Sequence, residues 1–431
     1  MRTLILAPPI VLENWKKELG LFSKIPAKHI VILHGPGKKR IETLKKIGKQ
    51  SKIIITNYES LTMGGKKDMA KRFNKGPLLE AIQEWHPEVM ILDEAHRCKN
   101  HKANRTKAAI ALADRARYKF LLTGTPVLNT MEDFFSQFRI LDDGETFGKN
   151  YFVFRNRFFK DKNAGMSKQS YFPDWVPKQG AAEEIRQRVR KKSMHVSKDD
   201  CLDLPPLVKQ VIEVPMSPKQ RKAYEGMHQD LITYIDDKAA VAEYAMTKAL
   251  RLQQIVSGFV NVEEGQGERS AIAFKDHPRK KALKELLADI APGNKVLVWA
   301  VFKENYADIR DVCEKLKLDY VEVHGGITQK NKMLAVDRLN NDPTCRVLIG
   351  HPGSGGIGIN LVAASHAIFY SRSFSLEYDI QAEARNYRGG SEVHTKVTRI
   401  DLVTPGTIDE QVSKALASKK NIGYQVLREI I

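Results

Sequence analysis

Val89-Met90-Ile91-Leu92-Asp93-Glu94-Ala95-His96 is the most informative stretch of the chain. Four apolar residues stop abruptly at two carboxylates and a histidine. A buried strand of a parallel sheet reads this way, and open α/β sheets gather ligands at the C-terminal ends of their strands. Adjacent carboxylates there suit a nucleotide site: one can hold magnesium while the other polarises an attacking water. The plainer alternative is a strand that ends in a polar turn.

Similar apolar runs lie on both sides of this one. Thr3–Ala7, Ile30–Leu33, Lys52–Thr56 and Lys119–Leu122 form a first series with Val89–Leu92. Val208–Val214, Val296–Trp299, Tyr320–Val323, Arg346–Gly350, Ala367–Tyr370 and Thr398–Val403 form a second. Each run is bounded by polar, Gly or Pro residues and separated from the next by helical pattern. The expectation is two parallel sheets with helical crossovers, their strands buried on both faces. Between the series, residues 141–206 are basic, aromatic and punctuated by Pro173, Pro177, Pro205 and Pro206. They read as an insertion and linker between a first lobe (1–140) and a second (207–431). Ser217 before Pro218 marks a helix start. The helical pattern continues, with breaks, to about Val256, and Glu263–Gly267 reads as a polar loop. No internal repeat is visible.

The chain has 431 residues, a net charge of +19 and 42% apolar residues. It is too apolar for a disordered tail. No run approaches the ~18 apolar residues of a membrane span. Pro8, Pro9 and Glu13 interrupt the start too early for a signal peptide. Cys98, Cys201, Cys313 and Cys345 form no CxxC pair, so neither a zinc site nor a disulfide framework is expected, and a cytoplasmic setting fits. The positive charge is concentrated. Ile30–Lys75 holds twelve Lys and Arg against three Asp and Glu, and Lys149–Asp200 holds thirteen against six. Such surpluses point to a polyanion, although either stretch alone could be solvated surface.

Three further patterns carry chemistry. Leu121-Leu122-Thr123-Gly124-Thr125-Pro126 is a strand entering a small-residue turn. Gly124 permits close backbone approach, and the hydroxyls of Thr123 and Thr125 can bond to His96 or its neighbours. Gly353 to Leu361 is a glycine-rich loop after a strand, including Gly356, Gly358 and Asn360, and its amides can cradle phosphate. Gln381, Arg385 and Arg388 form a third pattern. On a helix the two arginines share a face and can reach a γ-phosphate. Each pattern alone also fits an ordinary turn or a surface helix.

Order and spacing together resemble the Swi/Snf-type branch of helicase superfamily two, DNA-dependent translocating ATPases, over nearly the whole chain. Leu4–Trp15 looks like motif Ia, Ile53–Glu59 like Ib, Asp93–Asn100 like II and Thr123–Asn129 like III. Leu204–Pro206, Ser217–Gln220 and Tyr224 are similar to the entry into the second lobe. Lys295–Phe302 looks like motif IV, with His324-Gly325-Gly326 following, Gly355–Leu361 like V and Gln381–Arg388 like VI. DEAH-type RNA helicases usually carry another form of motif VI.

The resemblance implies two RecA-like lobes, the first N-terminally incomplete, with ATP and magnesium as ligands and duplex or branched DNA as partner. Asp93 would hold magnesium and Glu94 would activate water. His96 and Thr123 would couple ATP state to DNA contact. Gln381, Arg385 and Arg388 would sense the γ-phosphate, and Gly124, Thr125, Gly356 and Gly358 would line the nucleotide site. Pro8, Thr56, Asn57, His324 and Asn360 would follow DNA.

Three departures stand out. A GxGKT-type phosphate loop is expected ahead of motif Ia. Gly35-Pro36-Gly37-Lys38-Lys39 and Gly64-Gly65-Lys66-Lys67 follow Ia and lack its ending, so the loop is expected from an upstream segment or a separate chain. Gly389-Gly390-Ser391 replaces the usual Ile-Gly-Gln after Arg388. No reader domain is appended, which resembles compact bacterial and phage members. The alternative function is a non-catalytic DNA-binding module or part of a split helicase.

Overall fold

The computed structural model describes all residues except 48–49, 51, 69–72, 125–129, 166–172, 197–200, 236–240, 265–267, 276, 356–358 and 429–431. The chain divides into two compact units, residues 1–164 with 173–195 and residues 196–421.

The first unit is built on five parallel strands: β1 (Thr3–Leu6), β2 (Ile30–Ile32), β3 (Ile53–Thr56), β4 (Val89–Asp93) and β5 (Tyr118–Leu122). Their order is β2-β3-β1-β4-β5. Helices Leu12–Phe22, Gly37–Ile47, Pro77–Trp85 and Asn104–Ala113 make the crossovers. The chain runs from β1 towards one edge and then crosses to β4 on the other side of β1. That reversal is a switch point, where α/β sheets form ligand crevices. The register pairs Leu6 with Leu92 and Asp93 with Leu122. Asp93 therefore emerges at the carboxyl edge of the sheet.

Burial in this sheet is uneven. In β4, Met90 and Leu92 are fully buried, while Val89 and Ile91 on the other face are only half-buried. In β5, Tyr118, Phe120 and Leu122 are exposed. The expectation of strands buried on both faces is therefore corrected for β4 and β5, and for the edge strand Leu207–Glu213 of the second sheet, where Lys209, Gln210, Val211 and Glu213 are exposed. Among the described strands β5 pairs with β4 alone.

The aromatic content around residues 134–159 has a structural explanation. Phe134, Phe135, Phe138, Phe147, Phe154, Phe158 and Phe159 pack with Ile185 and Val189 into a separate core. Its rings meet largely edge-on or tilted at 5–6 Å, the preferred aromatic geometry. Several cations of the second basic stretch are paired within the unit: Arg157 and Arg188 with Glu184, Arg186 with Glu183, and Lys192 with Asp142 and Glu145.

The second unit holds six parallel strands: β6 (Leu207–Glu213), β7 (Val296–Trp299), β8 (Asp319–Val323), β9 (Cys345–Gly350), β10 (His366–Phe369) and β11 (Val397–Val403). Their order is β6-β11-β10-β7-β9-β8. Val296, Leu297, Val298 and Trp299 are all fully buried, as a central parallel strand requires. Ser217 and Gln220 form a reciprocal cap ahead of helix Pro218–Ile235: the Ser217 hydroxyl accepts from the Gln220 amide, and the Gln220 side chain accepts from the Ser217 amide. The segment expected as a polar loop at Glu263–Gly267 belongs in part to an antiparallel hairpin, Phe259–Glu264 with Glu268–Ala273; residues 265–267 lie outside the described residues.

Cys98, Cys313 and Cys345 are buried and Cys201 is exposed. Burial pushes the thiols of Cys98 and Cys313 up to about 12 and that of Cys345 up to about 11. Among the described residues, no helix is long and apolar enough to cross a membrane.

Candidate active site

In the first unit the chemistry gathers where β4 and β5 end. Asp93 Oδ2 accepts a 2.9 Å hydrogen bond from the Trp15 indole. The Asp93 carbonyl accepts one of 2.6 Å from the Tyr58 hydroxyl. Tyr58 is fully buried, and burial pushes its phenol well up, so it remains a neutral donor. Helix Leu12–Phe22 after β1 supplies Trp15, and the short turn after β3 supplies Tyr58. Both neighbouring segments thus fix Asp93 through uncharged groups, Trp15 at the carboxylate and Tyr58 at the backbone carbonyl.

Glu94 adopts the left-handed conformation, φ 52° and ψ 50°. A non-glycine residue there is strained, and such strain collects at functional sites. The turn drops the chain into a short 3₁₀ helix, Ala95–Cys98, and brings Glu94 Oε2 within 3.3 Å of His96 Nδ1. The His96 ring is buried. Its Nδ1 also lies 3.0 Å from the Thr123 hydroxyl at the end of β5. The expected link between His96 and Thr123 is present. Thr125 lies outside the described residues. Gly124 is described and open, with no atom near a Cβ built on it.

The residues after β3 form a buried polar turn. Thr56 is fully buried, with its hydroxyl 3.1 Å from that of Ser60. Asn57 accepts from Arg40 at 2.9 Å. Glu59 binds Arg97 at 2.7 Å; burial raises its carboxyl, but Arg97 outweighs this and holds it below the usual range. Pro8 is also buried.

In the second unit, helix Leu376–Glu383 is capped by Ser375 and carries Gln381. Arg385 and Arg388 lie beyond its end, which corrects the expectation of two arginines on one helical face. The helix stops because Arg385 turns back on it. Arg385 Nε donates to the Gln381 carbonyl at 2.8 Å, and Nη1 donates to the Ile359 carbonyl at 3.2 Å. Orphan carbonyls of a last helical turn need such donors. Arg385 is buried, whereas Arg388 is half-buried. Gln381 donates to Glu377 at 3.4 Å.

An ion-pair lattice that sequence reasoning missed holds this helix. Arg399 donates to Asp379, Glu383 and Asp401, and Arg372 donates to Asp379 and Asp401, all at 2.8–3.2 Å. Arg399 also lies 4.0 Å over the Phe369 ring. Burial raises the Asp379 carboxyl, but Arg399 and Arg372 outweigh it and hold the group below its usual value. Arg399 is pushed up despite its own burial, chiefly by Asp401 and Asp379.

His324 is nearly buried, stacked on Tyr306 at 4.4 Å and 3.2 Å from Glu322. Asn360 is exposed. Gly356 and Gly358 lie outside the described residues. Trp15 and Tyr58 were legible as parts of motifs Ia and Ib, but not as the donors to Asp93. Their signal was an aromatic with a polar tip beside a strand end.

The SNF2-related domain family matches residues 1–259, more than half of the sequence, and the helicase conserved C-terminal domain matches residues 278–390. The chain belongs to the SNF2-related family. Its two parallel α/β sheets are the two RecA-like helicase domains of that family. Among similar proteins, the TATA-binding protein-associated factor mot1 of Aspergillus fumigatus is 26% identical, over 99% of this chain and 23% of that protein. An uncharacterized ATP-dependent helicase of Mycoplasma pneumoniae is 26% identical, over 99% and 37%. The putative ATP-dependent helicase/translocase YwqA of Bacillus subtilis is 24% identical, over 99% and 43%. This SNF2-related chain therefore spans less than half the length of these curated relatives. The Sulfolobus solfataricus SWI2/SNF2 ATPase core in complex with dsDNA is 22% identical with a TM-score of 0.40, over 99% of this chain and 82% of that one.

Among the described residues no group of three or more His, Cys, Asp and Glu converges on one point. Asp93 keeps one carboxylate oxygen beyond the Trp15 bond. Magnesium is typically held by one or two carboxylates, with water and substrate phosphates completing the shell, so Asp93 fits that role.

Proposed function

We propose that this chain is the motor portion of an ATP-dependent DNA translocase, a DNA-stimulated ATPase. The observation that carries the reading is the grouping of Asp93, Glu94, His96 and Thr123 at the ends of adjacent parallel strands, in a chain of the SNF2-related family. Asp93 would hold magnesium, which when bound neutralises charge on the phosphates. Glu94 would orient and deprotonate the attacking water. His96, touching both Glu94 and Thr123, would report the state of the site to the end of β5. Gln381, Arg385 and Arg388 would face the γ-phosphate, and for that role Arg385 must exchange its carbonyl partners for phosphate oxygens. Pro8, Thr56, Asn57, His324 and Asn360 remain the proposed DNA-facing positions. The whole charge of +19 suits a phosphate backbone.

The 431 residues contain no Gly-Lys-Ser or Gly-Lys-Thr. Hydrolysis is therefore proposed to need a phosphate loop from other residues. The test is ATP turnover with and without duplex DNA, for the chain alone and for the chain extended by a strand–GxGKT–helix segment. DNA-stimulated turnover is expected only in the extended protein. Glu94→Gln should lower it by about 10²-fold or more. Unchanged turnover in that variant would remove the role of Glu94. The second reading, a non-catalytic DNA-binding module, is favoured by the present engagement of Arg385 with two carbonyls. Salt-sensitive DNA binding indifferent to ATP in the extended protein would support it.

A further inference from the structure

Helix Tyr151–Phe158 of the first unit faces two ways. It buries Phe154 and Phe158 in the aromatic core. Asn150 caps it, its side chain accepting from the amides of Phe152 and Val153. Those two side chains point outward, 55% and 65% exposed, and neither belongs to the core. Beside them Arg155 lies among three rings, 4.1 Å from the centre of Trp175, 5.3 Å from Tyr151 and 5.4 Å from Phe152. Its Nε is buried and has no hydrogen-bond partner among the described residues. Arg157, Arg186 and Arg188 of the same unit each hold a carboxylate. Among the described residues Arg155 holds none. His101 stacks on Tyr151 at 3.5 Å. Burial pushes its imidazole down to about 4, and Lys102, Arg155 and Lys107 push it the same way. The charges that act on this ring are all positive. Glu132, the carboxylate that touches the cluster, is taken up by the Tyr151 hydroxyl at 2.8 Å.

We infer that the outer face of this helix, Phe152 and Val153 with Arg155, Lys102 and Lys107 beside them, is a docking surface for an acidic amphipathic segment of a partner protein. Apolar side chains of the segment cover Phe152 and Val153, and its carboxylates meet Arg155 and the lysines. Exposed apolar groups rimmed by charge mark such surfaces, and Tyr, Trp, Phe and Arg are the residues enriched in them. The charge excludes a second copy of this chain, because a two-fold contact would set these cations against themselves in a protein of net charge +19. The apolar pair argues against nucleic acid. A duplex offers chiefly its phosphates, which Val153 and Phe152 cannot use. An unpaired base needs an open ring to stack on, but Arg155 lies against Phe152 and Val153 has no ring. The ring cage also holds the guanidinium in place before a partner arrives, so less freedom is lost on binding. This surface is separate from the nucleotide-site reading above and does not depend on it.

The probe is a fluorescein-labelled helical peptide of Glu, Asp and Ala with Leu and Phe at i and i+4 spacing. Its binding to the full chain is read by fluorescence anisotropy at physiological salt. Phe152→Ser changes a side chain outside the core and should weaken binding by about tenfold or more. Phe22→Ser is the control. Phe22 is 85% exposed and stands near the exposed Lys16, Lys17 and Lys24, so it offers a similar composition without the ring-caged arginine. That variant should bind the peptide as the wild type does. Replacing the acids of the peptide by Gln, or its Leu and Phe by Ala, should each abolish binding. Equal binding by wild type and Phe152→Ser would mean general attraction to a basic protein and overturns the inference, as does no binding at all. An oligothymidylate that loses affinity in Phe152→Ser while the peptide does not would assign the surface to single-stranded nucleic acid instead. Dimers in sedimentation that Phe152→Ser dissolves would assign it to a second copy. Either result overturns the inference.

Discussion

The two units fix their key side chains in opposite ways. In the first, Asp93 is held by the Trp15 indole and the Tyr58 phenol, both uncharged. In the second, the helix before Arg385 is held by two arginines shared among three carboxylates. The difference suits what each site would have to leave available in the proposed motor. A neutral clamp leaves the charge of Asp93 unbalanced and ready for a cation. With Lys209 on Glu383 as a third cation, the ionic lattice balances itself and leaves only geometry, a rigid platform ahead of Arg385 and Arg388. Buried ion pairs are costly to half-remove, and a single hydrogen bond less so.

Breaking the lattice should have the largest effect. Asp379→Ala removes one of the two carboxylates that Arg399 and Arg372 share, leaving them Asp401, and a loss of about 3 kcal/mol is expected in urea unfolding of the second unit. The pH dependence has a definite sign. The Asp379 carboxyl is depressed in the folded state, so its contribution is full above its unfolded value of about 4 and is lost as pH falls through the lower folded value. Wild-type acid unfolding should show this component below about pH 4, and the variant should lack it. Trp15→Phe breaks the neutral clamp with a smaller expected loss, about 1.5 kcal/mol, read as faster amide exchange in β4. Smallest, and opposite in sign, is Glu94→Gly. It relieves a left-handed non-glycine residue and should raise the urea midpoint by an amount equivalent to about 1 kcal/mol. Turnover in the extended protein should fall. A destabilised Glu94→Gly would mean that the carboxylate contributes more to the fold than the strain costs.

All eleven strands of the two sheets were legible, because short β-branched runs between helical stretches leave few alternatives to a parallel sheet. The pairing of His96 with Thr123 was legible because both follow strands that end at one edge. Three things were not. The exposure of β5 was hidden because Tyr118, Phe120 and Leu122 read as core in a one-dimensional pattern. The position of Arg385 was misjudged because three-residue spacing suggests a helix, and only tertiary contact reveals that the guanidinium caps one. The lattice was invisible because Arg372, Asp379 and Arg399 lie on three separate elements, and like any long-range ion pairing it leaves no local periodicity. The aromatic content of residues 134–159 was readable, but its destination, a self-contained core, was not.

The unequal burial of the cysteines has a practical consequence. Thiol reagents attack the thiolate, and the raised values at Cys98, Cys313 and Cys345 leave almost none at neutral pH, in side chains that reagents cannot reach. Cys201 stands alone in solvent just ahead of β6. A maleimide dye should therefore attach at one address, at the threshold of the second unit. Distance measurements by fluorescence can start from the unaltered sequence, with one partner label already placed.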